Sequence, residues 1–251
     1  MKRKNVIWEL KMRDLEYKKI ILPEFPRTRH IPFEPNASKD DKVASVREFE
    51  ELLASGMNIT IEEKVDGANC GITILDGEPV IRNRNHILSK NYTGTRTPAK
   101  MQFAAIWTWY YNNQDKFIKL QEILGFPACV YGEWLYARHS INYDRLPSWF
   151  VAFDVYDYNE RKYISPLRYR PALLEAGFEV VPPMEFSQIT EKSLKSMRDG
   201  KTAFSENEDK EGIYLKACDG EFIIERLKMV RPGFIQGEHW NKKELVKNGK
   251  I

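Results

Sequence analysis

Cysteine is scarce in this sequence, and the few cysteines present are poorly placed for joint chemistry. Cys70, Cys129 and Cys218 are the three cysteines among 251 residues. Their number is odd, they lie far apart and no two of them form a CxxC pair, so the sequence predicts neither a disulfide framework nor a structural zinc site. Such cysteine usage indicates a reducing, cytoplasmic setting.

Long apolar runs are also missing. No segment approaches the roughly 18 consecutive apolar residues that a membrane-spanning helix needs. Residues 1–4 are basic, as the start of a signal peptide would be, but charges fill the segment from Trp8 to Lys19, where an apolar region should follow. We therefore expect a soluble protein with no membrane partner.

The chain has little net charge of either sign. Lys and Arg number 39 against 36 Asp and Glu, which gives a formal charge of +3. This total is too small to demonstrate a polyanionic partner, although it is compatible with a local basic patch. The placement of the charges is therefore more informative than their sum.

Length and composition predict one main domain. A chain of 251 residues with 42% hydrophobic content can bury a substantial core. We expect the main domain to span residues 46–230. It is preceded by a charged, proline-rich and partly looped extension over residues 1–45, and a basic tail follows over residues 231–251. Within the domain, the polar stretch 189–210 predicts mobile surface.

Apolar periodicity predicts an α+β fold of twisted antiparallel sheets flanked by helices. Ser45 is expected to cap a helix that buries Val46, Phe49, Leu52 and Leu53 and ends at Gly56. Further helices are predicted over residues 100–124, with a break near residues 112–113, and over residues 165–176. Strands are predicted over residues 60–64, 69–74, 79–85, 128–136, 148–158, 178–181, 211–216 and 221–229, with Asp76–Gly77 and Asp219–Gly220 as turns.

The segment from Thr60 to Ile74 is the most informative one. It places Lys64, Asp66 and Gly67 between two β-prone runs, which predicts a hairpin whose turn presents the lysine. Burial of that lysine in a cleft would disfavour its ammonium form and free an amine for attack on phosphorus or carbonyl carbon. By chance, Lys-x-Asp-Gly arises in roughly one chain of this size in twenty, so a solvated hairpin lysine stays open on this segment alone.

Further charged residues recur at strand ends or on one strand face. They are Arg84, Glu133, Asp154, Glu211, Lys216 and Lys228. Sheets that bring these positions together would surround one cleft with cations for phosphates and acids for a divalent metal. These cations and acids, together with a nucleophilic amine, are the groups that a nucleotidyl transfer requires.

Two other basic groups are open to a phosphate-binding or a solvated interpretation. Arg82 and Arg84 share one strand face, because side chains alternate with a period of two. Arg27, Arg29 and His30 lie beside prolines in the extension, a pattern more typical of a solvated loop.

The ordered motifs from Glu63 to Lys228 resemble those of the covalent nucleotidyltransferases, which comprise RNA ligases, ATP-dependent DNA ligases and mRNA capping enzymes. Lys64-Val65-Asp66-Gly67 is similar to the family's Lys-x-Asp-Gly, in which the lysine becomes linked to the nucleotide through a phosphoramidate. Arg84-Asn85 resembles the end of a Ser-Arg-Asn element, with Asn83 in place of serine, whose arginine contacts the nucleotide. Tyr131-Gly132-Glu133 resembles Phe-Gly-Glu, whose glutamate binds ribose or metal.

The resemblance continues through the second half of the chain. Phe153-Asp154 is similar to a Phe-Asp element whose ring stacks on the base. Glu211 to Lys216 resembles Glu-Gly-x-x-x-Lys, which implies that Glu211 lies near the metal and that Lys216 reaches the α-phosphate. Arg226-Leu227-Lys228 resembles the closing Lys-x-Lys, although its first lysine is an arginine here.

Details of the motifs indicate which group within these nucleotidyltransferases the sequence resembles most. Asn69 and Glu63 resemble residues of phage-type, nick-sealing RNA ligases, where the asparagine contacts the nucleotide and the glutamate borders the base pocket. The run from Gly132 to Ile141 also looks like bacterial and phage RNA ligases. DNA ligases and capping enzymes continue into an oligonucleotide-binding domain, but only 23 residues follow Lys228. We therefore expect an ATP-grasp-like nucleotidyltransferase domain without that extra barrel.

The resemblance implies an ATP-dependent ligase that joins 5′-phosphate and 3′-hydroxyl ends, preferably of RNA. ATP and Mg²⁺ or Mn²⁺ are the implied cofactors, with nucleotide contacts from Glu63, Asp66, Gly67, Asn69, Arg84, Glu133, Phe153, Asp154 and Arg226 and catalytic roles for Lys64, Glu211, Lys216 and Lys228. Glu133 and Glu211 are the implied metal ligands. The alternatives are a ligase of DNA or other polynucleotide ends and a catalytically silent nucleotide- or RNA-binding module. The basic tail or an accessory protein would supply the substrate clamp.

Overall fold

Capping signals in the sequence set the helix boundaries. In the computed structural model, which describes residues 22–33, 35–37, 41–75, 77–90, 98–234 and 245–251, Ser45 Oγ accepts a hydrogen bond from the Glu48 amide at 3.2 Å. The Glu48 carboxylate in turn accepts one from the Ser45 amide at 2.7 Å, which completes a capping box. The helices are α1 (Val46–Ala54), α2 (Pro98–Tyr111), α3 (Gln114–Leu124), α4 (Pro166–Glu175) and α5 (Glu191–Arg198).

The described strands form two sheets, which confirms the α+β class. The strands are β1 (Arg29–His30), β2 (Asn58–Lys64), β3 (Ala68–Leu75), β4 (Glu78–Asn83), β5 (Ala128–Trp134), β6 (Phe150–Asp157), β7 (Lys162–Tyr163), β8 (Gly212–Cys218) and β9 (Ile223–Val230). The first sheet has the order β1-β9-β8-β2 and the second β4-β3-β5-β6-β7. All neighbours are antiparallel except β1 and β9.

Three apolar clusters hold these layers together. Helices α2, α3 and α4 cover one face of the second sheet, with Ile72, Ile106 and Phe117 among the buried residues. Helices α1 and α5 cover the outer face of the first sheet through Phe49 and Leu194. A third cluster includes Val65, Tyr131 and Phe153. The two sheets are therefore each buried on one face by helices.

The predicted hairpin around Lys64 is wrong. Strand β2 pairs with β8 in the first sheet, whereas β3 pairs with β4 and β5 in the second. The segment from Lys64 to Gly67 thus carries the chain from one sheet to the other. This crossing places Lys64 at the junction of the sheets rather than at a solvated turn.

Other local predictions need smaller corrections. Residues 178–181 form only an isolated bridge between Val180 and Ala152 instead of a strand. The stretch 189–210 is packed rather than mobile surface, because α5 buries Leu194 and the following loop buries Thr202 and Lys210. Val46 is 48% exposed, so Phe49 is the residue that anchors α1. The predicted turn residue Asp76 lies outside the described part.

Described parts of both flanking segments pack on the central domain. Leu22 and Ile31 are fully buried, and β1 pairs with β9. In the C-terminal segment 245–251, the buried Asn248 donates to the Leu135 carbonyl at 2.9 Å and accepts from the Tyr143 amide at 3.1 Å. Among the described residues, every helix is too short or too polar to cross a lipid bilayer.

Candidate active site

Buried hydrogen bonds fix the turn that presents Lys64. One carboxylate oxygen of Asp66 accepts from the amides of Ser140 at 2.7 Å and Ile141 at 3.0 Å. The Asp66 amide donates to the Tyr143 hydroxyl at 2.8 Å. A Cβ on Gly67 would lie 2.6 Å from Leu135 Cδ2 and 3.1 Å from the Trp134 carbonyl oxygen, so any larger residue would force the buried Leu135 side chain or the turn to shift. Asp66 and Gly67 therefore position Lys64.

A cavity of about 930 Å³ opens where the two sheets meet. It collects predicted residues from both sheets, and those lining it are Lys64, Gly67, Asn69, Arg84, Glu133, Glu211 and Lys228. Its volume lies in the range of small-molecule sites. More than half of the predicted site residues thus share one concave wall.

The Lys64 ammonium is paired rather than free. Its Nζ lies 2.7 Å from Glu211 Oε1 and 5.6 Å from the centre of the Tyr214 ring. Burial alone would lower the pKa of Lys64, but the electrostatic influence of Glu211, and after it of Tyr214 and Glu133, more than offsets this effect, and the pKa is raised above its usual value. The expectation of a free amine produced by desolvation is therefore wrong for this state, because two carboxylates stand beside the lysine.

Glu133 and Glu211 face this lysine with unusual titration properties. Burial raises the pKa of Glu133 to about 8 and that of Glu211 to about 7, although the charge of Lys64 opposes both shifts. Each carboxylate also has a buried oxygen, Oε2, without a hydrogen-bond partner. Such oxygens are costly unless something binds them.

This pair of carboxylates fits a divalent cation. Magnesium is commonly bound by one or two carboxylates that leave the remaining positions to phosphate oxygens and water. Groups of three or more acidic, histidine or cysteine ligands are absent from the described part of the chain. Glu133 and Glu211 would therefore leave coordination positions of such a cation to phosphate oxygens or water.

Two basic side chains line the cavity beyond Lys64. Lys228 Nζ lies 2.9 Å from Asp41 Oδ1, next to His30. Burial and the charge of Lys228 lower the pKa of His30 to about 4, so this histidine is neutral at physiological pH. Arg84 is exposed, and its guanidinium makes no ion pair with another described residue. Lys228 and Arg84 give the cavity a positive side that suits phosphates.

Other predicted residues lie behind the cavity wall. Lys216 is buried, and its Nζ contacts Glu62 Oε2 at 2.5 Å, the Tyr169 hydroxyl at 2.8 Å and Asp154 Oδ1 at 3.3 Å. Arg226 Nε lies 3.0 Å from Asp154 Oδ2. The structure therefore does not place Lys216, Asp154 or Arg226 on the cavity surface. Their charges instead join strands β8, β9 and β6.

Glu63 and Phe153 are also turned away from the cavity. The Glu63 carboxylate accepts hydrogen bonds from the Thr202 hydroxyl and from the Ala203 amide, because it faces the side of β2 opposite to Lys64. The Phe153 ring is 7% exposed and packs edge-on against Phe25 at 5.2 Å between ring centres. Neither side chain reaches the space beside Lys64.

The additional basic groups are divided between packing and the cavity. Arg82 is buried and donates to the Leu22 carbonyl at 2.6 Å and to the Arg84 carbonyl at 3.0 Å, so its phosphate-binding interpretation is wrong. Arg29 pairs with Glu48 and Glu225, each at 2.8 Å. Arg27, by contrast, is exposed and lines the cavity.

The RNA ligase family model matches residues 57–230 of this sequence. The chain belongs to the RNA ligase family. The match runs from the start of β2 to the end of β9, so it contains the residues on both sides of the cavity. No curated protein sequence matches the chain.

Solved RNA ligase structures from Naegleria gruberi share the fold. One of them, a mutant bound to ATP and manganese, matches with a TM-score of 0.57 and 19% sequence identity. The match covers 83% of this chain and 61% of the Naegleria chain. A second mutant, with AMP and manganese, matches with a TM-score of 0.57 and 20% identity, and this match covers 83% of this chain and 61% of the Naegleria chain. A mutant without ligand matches with a TM-score of 0.54 and 19% identity, and this match covers 84% of this chain and 57% of the Naegleria chain. The chain thus spans about three fifths of the length of these proteins.

Several residues that line the cavity were not predicted from the sequence motifs. Tyr214 lies on β8 between Glu211 and Lys216 and lines the cavity, which its period-of-two spacing from Lys216 could have indicated. Gln102 and His139 also line the cavity, with 3.2 Å between Gln102 Oε1 and His139 Nε2. Phe25 comes from the extension upstream of the family match. No local signal predicts these three contributions, since they depend on long-range packing.

Proposed function

We propose that this protein is an ATP-dependent RNA ligase that works through a covalent lysyl-AMP intermediate. The observation that carries the proposal is the grouping of Lys64, Glu133, Glu211 and Lys228 around one cavity at the junction of the sheets. A nucleophilic amine, two acids with unsatisfied oxygens and a separate cation are the groups that an in-line displacement at phosphorus requires. Family membership and the likeness to ATP- and AMP-bound ligases support this choice.

In the first step, Lys64 Nζ attacks the α-phosphorus of ATP. A P–N bond forms and the bond to the pyrophosphate oxygen breaks, so that pyrophosphate leaves. The Lys64 ammonium gives up one proton to become the attacking amine and a second one when the phosphoramidate nitrogen has formed. Glu211 is a suitable acceptor, because it lies 2.7 Å away and its pKa is raised to about 7. Lys228 and Arg84 offer positive charge to the phosphates.

Glu133 and Glu211 are the residues that would hold Mg²⁺ or Mn²⁺. Such a cation would neutralise charge on the reacting phosphate. The positive charge of such a cation near Lys64 would also disfavour the ammonium form of the lysine and so favour the neutral amine that attacks.

Two further transfers complete the proposed reaction. The 5′-phosphate of a polynucleotide attacks the phosphorus of the lysine-bound AMP, so that the P–N bond breaks and an adenylated 5′ end forms. The 3′-hydroxyl of a second end then attacks the 5′-phosphate, and AMP leaves. Lys64 regains its amine and is ready for another cycle.

The decisive experiment measures covalent labelling with α-labelled ATP in the presence of Mg²⁺ or Mn²⁺. We expect an acid-labile label on Lys64 of the wild type, none on Lys64→Ala and normal labelling of Lys119→Ala as the matched control. Label from GTP instead would favour a capping type of chemistry. Absence of label from either nucleotide would favour a silent binding module and overturn the proposal.

The acceptor requires its own test. RNA, DNA and hybrid nicks with a 5′-phosphate are compared for sealing by the wild type. RNA ends are expected to be sealed best, because contacts with the 2′-hydroxyl distinguish the two polymers. Equal or better sealing of an all-DNA nick would assign the same chemistry to a DNA ligase.

A further inference from the structure

A second cavity lies outside the proposed active site. It has a volume of about 620 Å³ and is bounded by α2, the start of α3, the segment 147–149 and the C-terminal segment 245–251. Its aromatic wall is formed by Trp109, Tyr136 and Trp149. Lys116 and Lys250 are the cations that line it, and Glu179 is the acid.

We propose that this cavity is a subsite for one nucleotide of a single-stranded segment of the polynucleotide substrate. This inference rests on the proposed ligase function and adds the place where the strand is held. A base can stack on an aromatic side chain regardless of its identity, and lysines at the cavity margin can contact the adjoining phosphates.

The aromatic wall is half-exposed rather than part of a sealed core. Tyr136 and Trp149 are both partly exposed, and their ring centres lie 5.4 Å apart at a steep angle. Lys247 Nζ lies 4.8 Å from the centre of the Tyr136 ring. Tyr136 is itself stacked on Trp134, with 6.0 Å between the ring centres. Trp149 is therefore the ring on which an entering base would stack, with Lys250 as a neighbouring cation of the cavity.

Polar groups with unused hydrogen-bonding capacity complete the cavity. The side chains of Asn112, Lys116, Lys250 and Glu179 make no hydrogen bond or ion pair with other residues that the structure describes. An amide and a carboxylate are groups that read the edges of bases, since the amide pairs with adenine and the carboxylate accepts from the amino group of cytosine. The cavity thus combines positive charge with hydrogen-bonding groups that could contact a base.

The C-terminal segment is held firmly at this position. The Gly249 amide donates to the Tyr143 carbonyl at 2.7 Å, and a Cβ on Gly249 would lie 2.8 Å from the Asp144 carbonyl oxygen. Lys247 and Lys250 form bridges with Ala137 and Leu146 respectively. These contacts place Lys247 and Lys250, two of the lysines in the basic tail expected to help on the substrate, beside the aromatic wall.

Helix α2 connects this cavity with the proposed active site. Gln102 lines the first cavity, and Trp109, seven residues later on the same helix, lines the second. At a rise of about 1.5 Å per residue, the two positions are about 10 Å apart along the axis. That distance corresponds to about three stacked nucleotides at roughly 3.4 Å each. A segment of a few nucleotides is therefore long enough to span the part of α2 that separates the two cavities.

The test measures binding of a short, fluorescent single-stranded RNA with a 5′-phosphate. The double variant Lys116→Glu with Lys250→Glu is compared with the matched control Lys119→Glu with Lys192→Glu, which reverses two exposed lysines outside the cavity. We expect the first variant to bind the RNA about ten-fold more weakly. The slope of log K against log[salt] should become about 1.4 less negative, which corresponds to the loss of two phosphate contacts. The control should stay within about three-fold of the wild type.

Two further arms identify what failed and which ligand is bound. Labelling of Lys64 by ATP should be equal in all three proteins, since neither pair of lysines lines the first cavity. If the wild type takes up no label from ATP, the ligase proposal fails. The comparison of RNA binding between the two double variants would still decide whether the second cavity binds the strand. Equal binding losses in the two double variants, no binding by the wild type, or displacement of the RNA from this cavity by AMP would overturn the strand subsite. A photoreactive uridine in the RNA should crosslink to the peptide that contains Tyr136 or Trp149.

Discussion

Lys64 Nζ and Glu211 Oε1 lie 2.7 Å apart at the ends of paired strands in one sheet. Lys64 is opposite Gly212 in the register of β2 and β8, so the acid one residue before that position meets the lysine at the mouth of the cavity. The pair keeps the lysine protonated in the absence of ligand. It also places a proton acceptor beside the amine.

Replacement of Glu211 by Gln should make Lys64 more reactive towards amine reagents. The carboxylate of Glu211 raises the pKa of this lysine, so without it the lowering effect of burial gains weight and the pKa falls. The measurement is the rate at which trinitrobenzene sulfonate modifies the Lys64 peptide at constant pH. Glu206→Gln, which removes an exposed partner of Arg145, is the control. A rate unchanged from the wild type would contradict the assigned role of Glu211.

The buried acid Glu133 should make the ligand-free protein less stable as the pH rises. Burial raises its pKa to about 8 in the folded state, whereas an unfolded glutamate titrates near 4.5, so the folded state holds more protons between these values. Stability from this group is complete below the unfolded pKa and is lost as the pH rises through about 8. Its contribution to the slope is at most about 1.4 kcal/mol per pH unit.

Glu133→Gln should flatten this dependence. The measurement is urea unfolding between pH 5 and pH 8 without divalent metal, with Glu179→Gln as the control at an exposed position. A slope in Glu133→Gln as steep as that of the wild type would assign the pH dependence to other groups. Glu211 must then be tested in the same way, because its pKa is raised to about 7.

Local signals were sufficient to predict most of the secondary structure. The Ser45 cap, the break at Asn113 and the turn glycines Gly177 and Gly220, both with positive φ, each act within a few residues. The charged motifs also indicated five residues that line the cavity, Lys64, Arg84, Glu133, Glu211 and Lys228, although they did not separate these from Lys216, Asp154 and Arg226, which lie behind its wall. These features depend on neighbouring residues or on residue type alone.

Strand partners and burial depth could not be predicted in this way. Lys64 to Gly67 has the composition of a hairpin turn, but the pairing of β2 with β8 is decided by contacts far apart in sequence. Likewise, a period of two assigns Lys216 to a strand face without showing that Glu62, Tyr169 and Asp154 enclose it. Phe25 and Gln102 reach the cavity only through the packing of other elements.

Lys216→Met should destabilise the protein strongly. The substitution leaves Glu62 and Asp154 buried with less positive charge to balance them, and the loss of one partner from a buried ion pair costs about 3–5 kcal/mol. Urea unfolding measures this loss, and Lys192→Met at an exposed helix position should change stability by less than about 0.5 kcal/mol.

A double-mutant cycle separates this structural role from direct phosphate contact. Lys216→Met combined with Glu62→Gln should be less destabilised than the sum of the two single changes, because each removes the partner of the other. Additive losses would show that the pair contributes little. Folded Lys216→Met that has normal stability but takes up no label from ATP would instead favour a contact with the α-phosphate.

Gly67→Ala should impair both folding and labelling of Lys64. Its Cβ would lie 2.6 Å from Leu135 Cδ2 and 3.1 Å from the Trp134 carbonyl oxygen, and neither atom can move freely in the packed turn. Overpacking of this kind costs about 1–3 kcal/mol, and a shift of the turn would move Lys64 relative to Glu211. Gly200→Ala is the matched control, since the nearest atom to its Cβ would be the flexible Lys210 Nζ at 3.3 Å. Urea unfolding and ATP labelling are measured on both variants. Wild-type labelling by Gly67→Ala would show that the close approach at this glycine does not position the lysine.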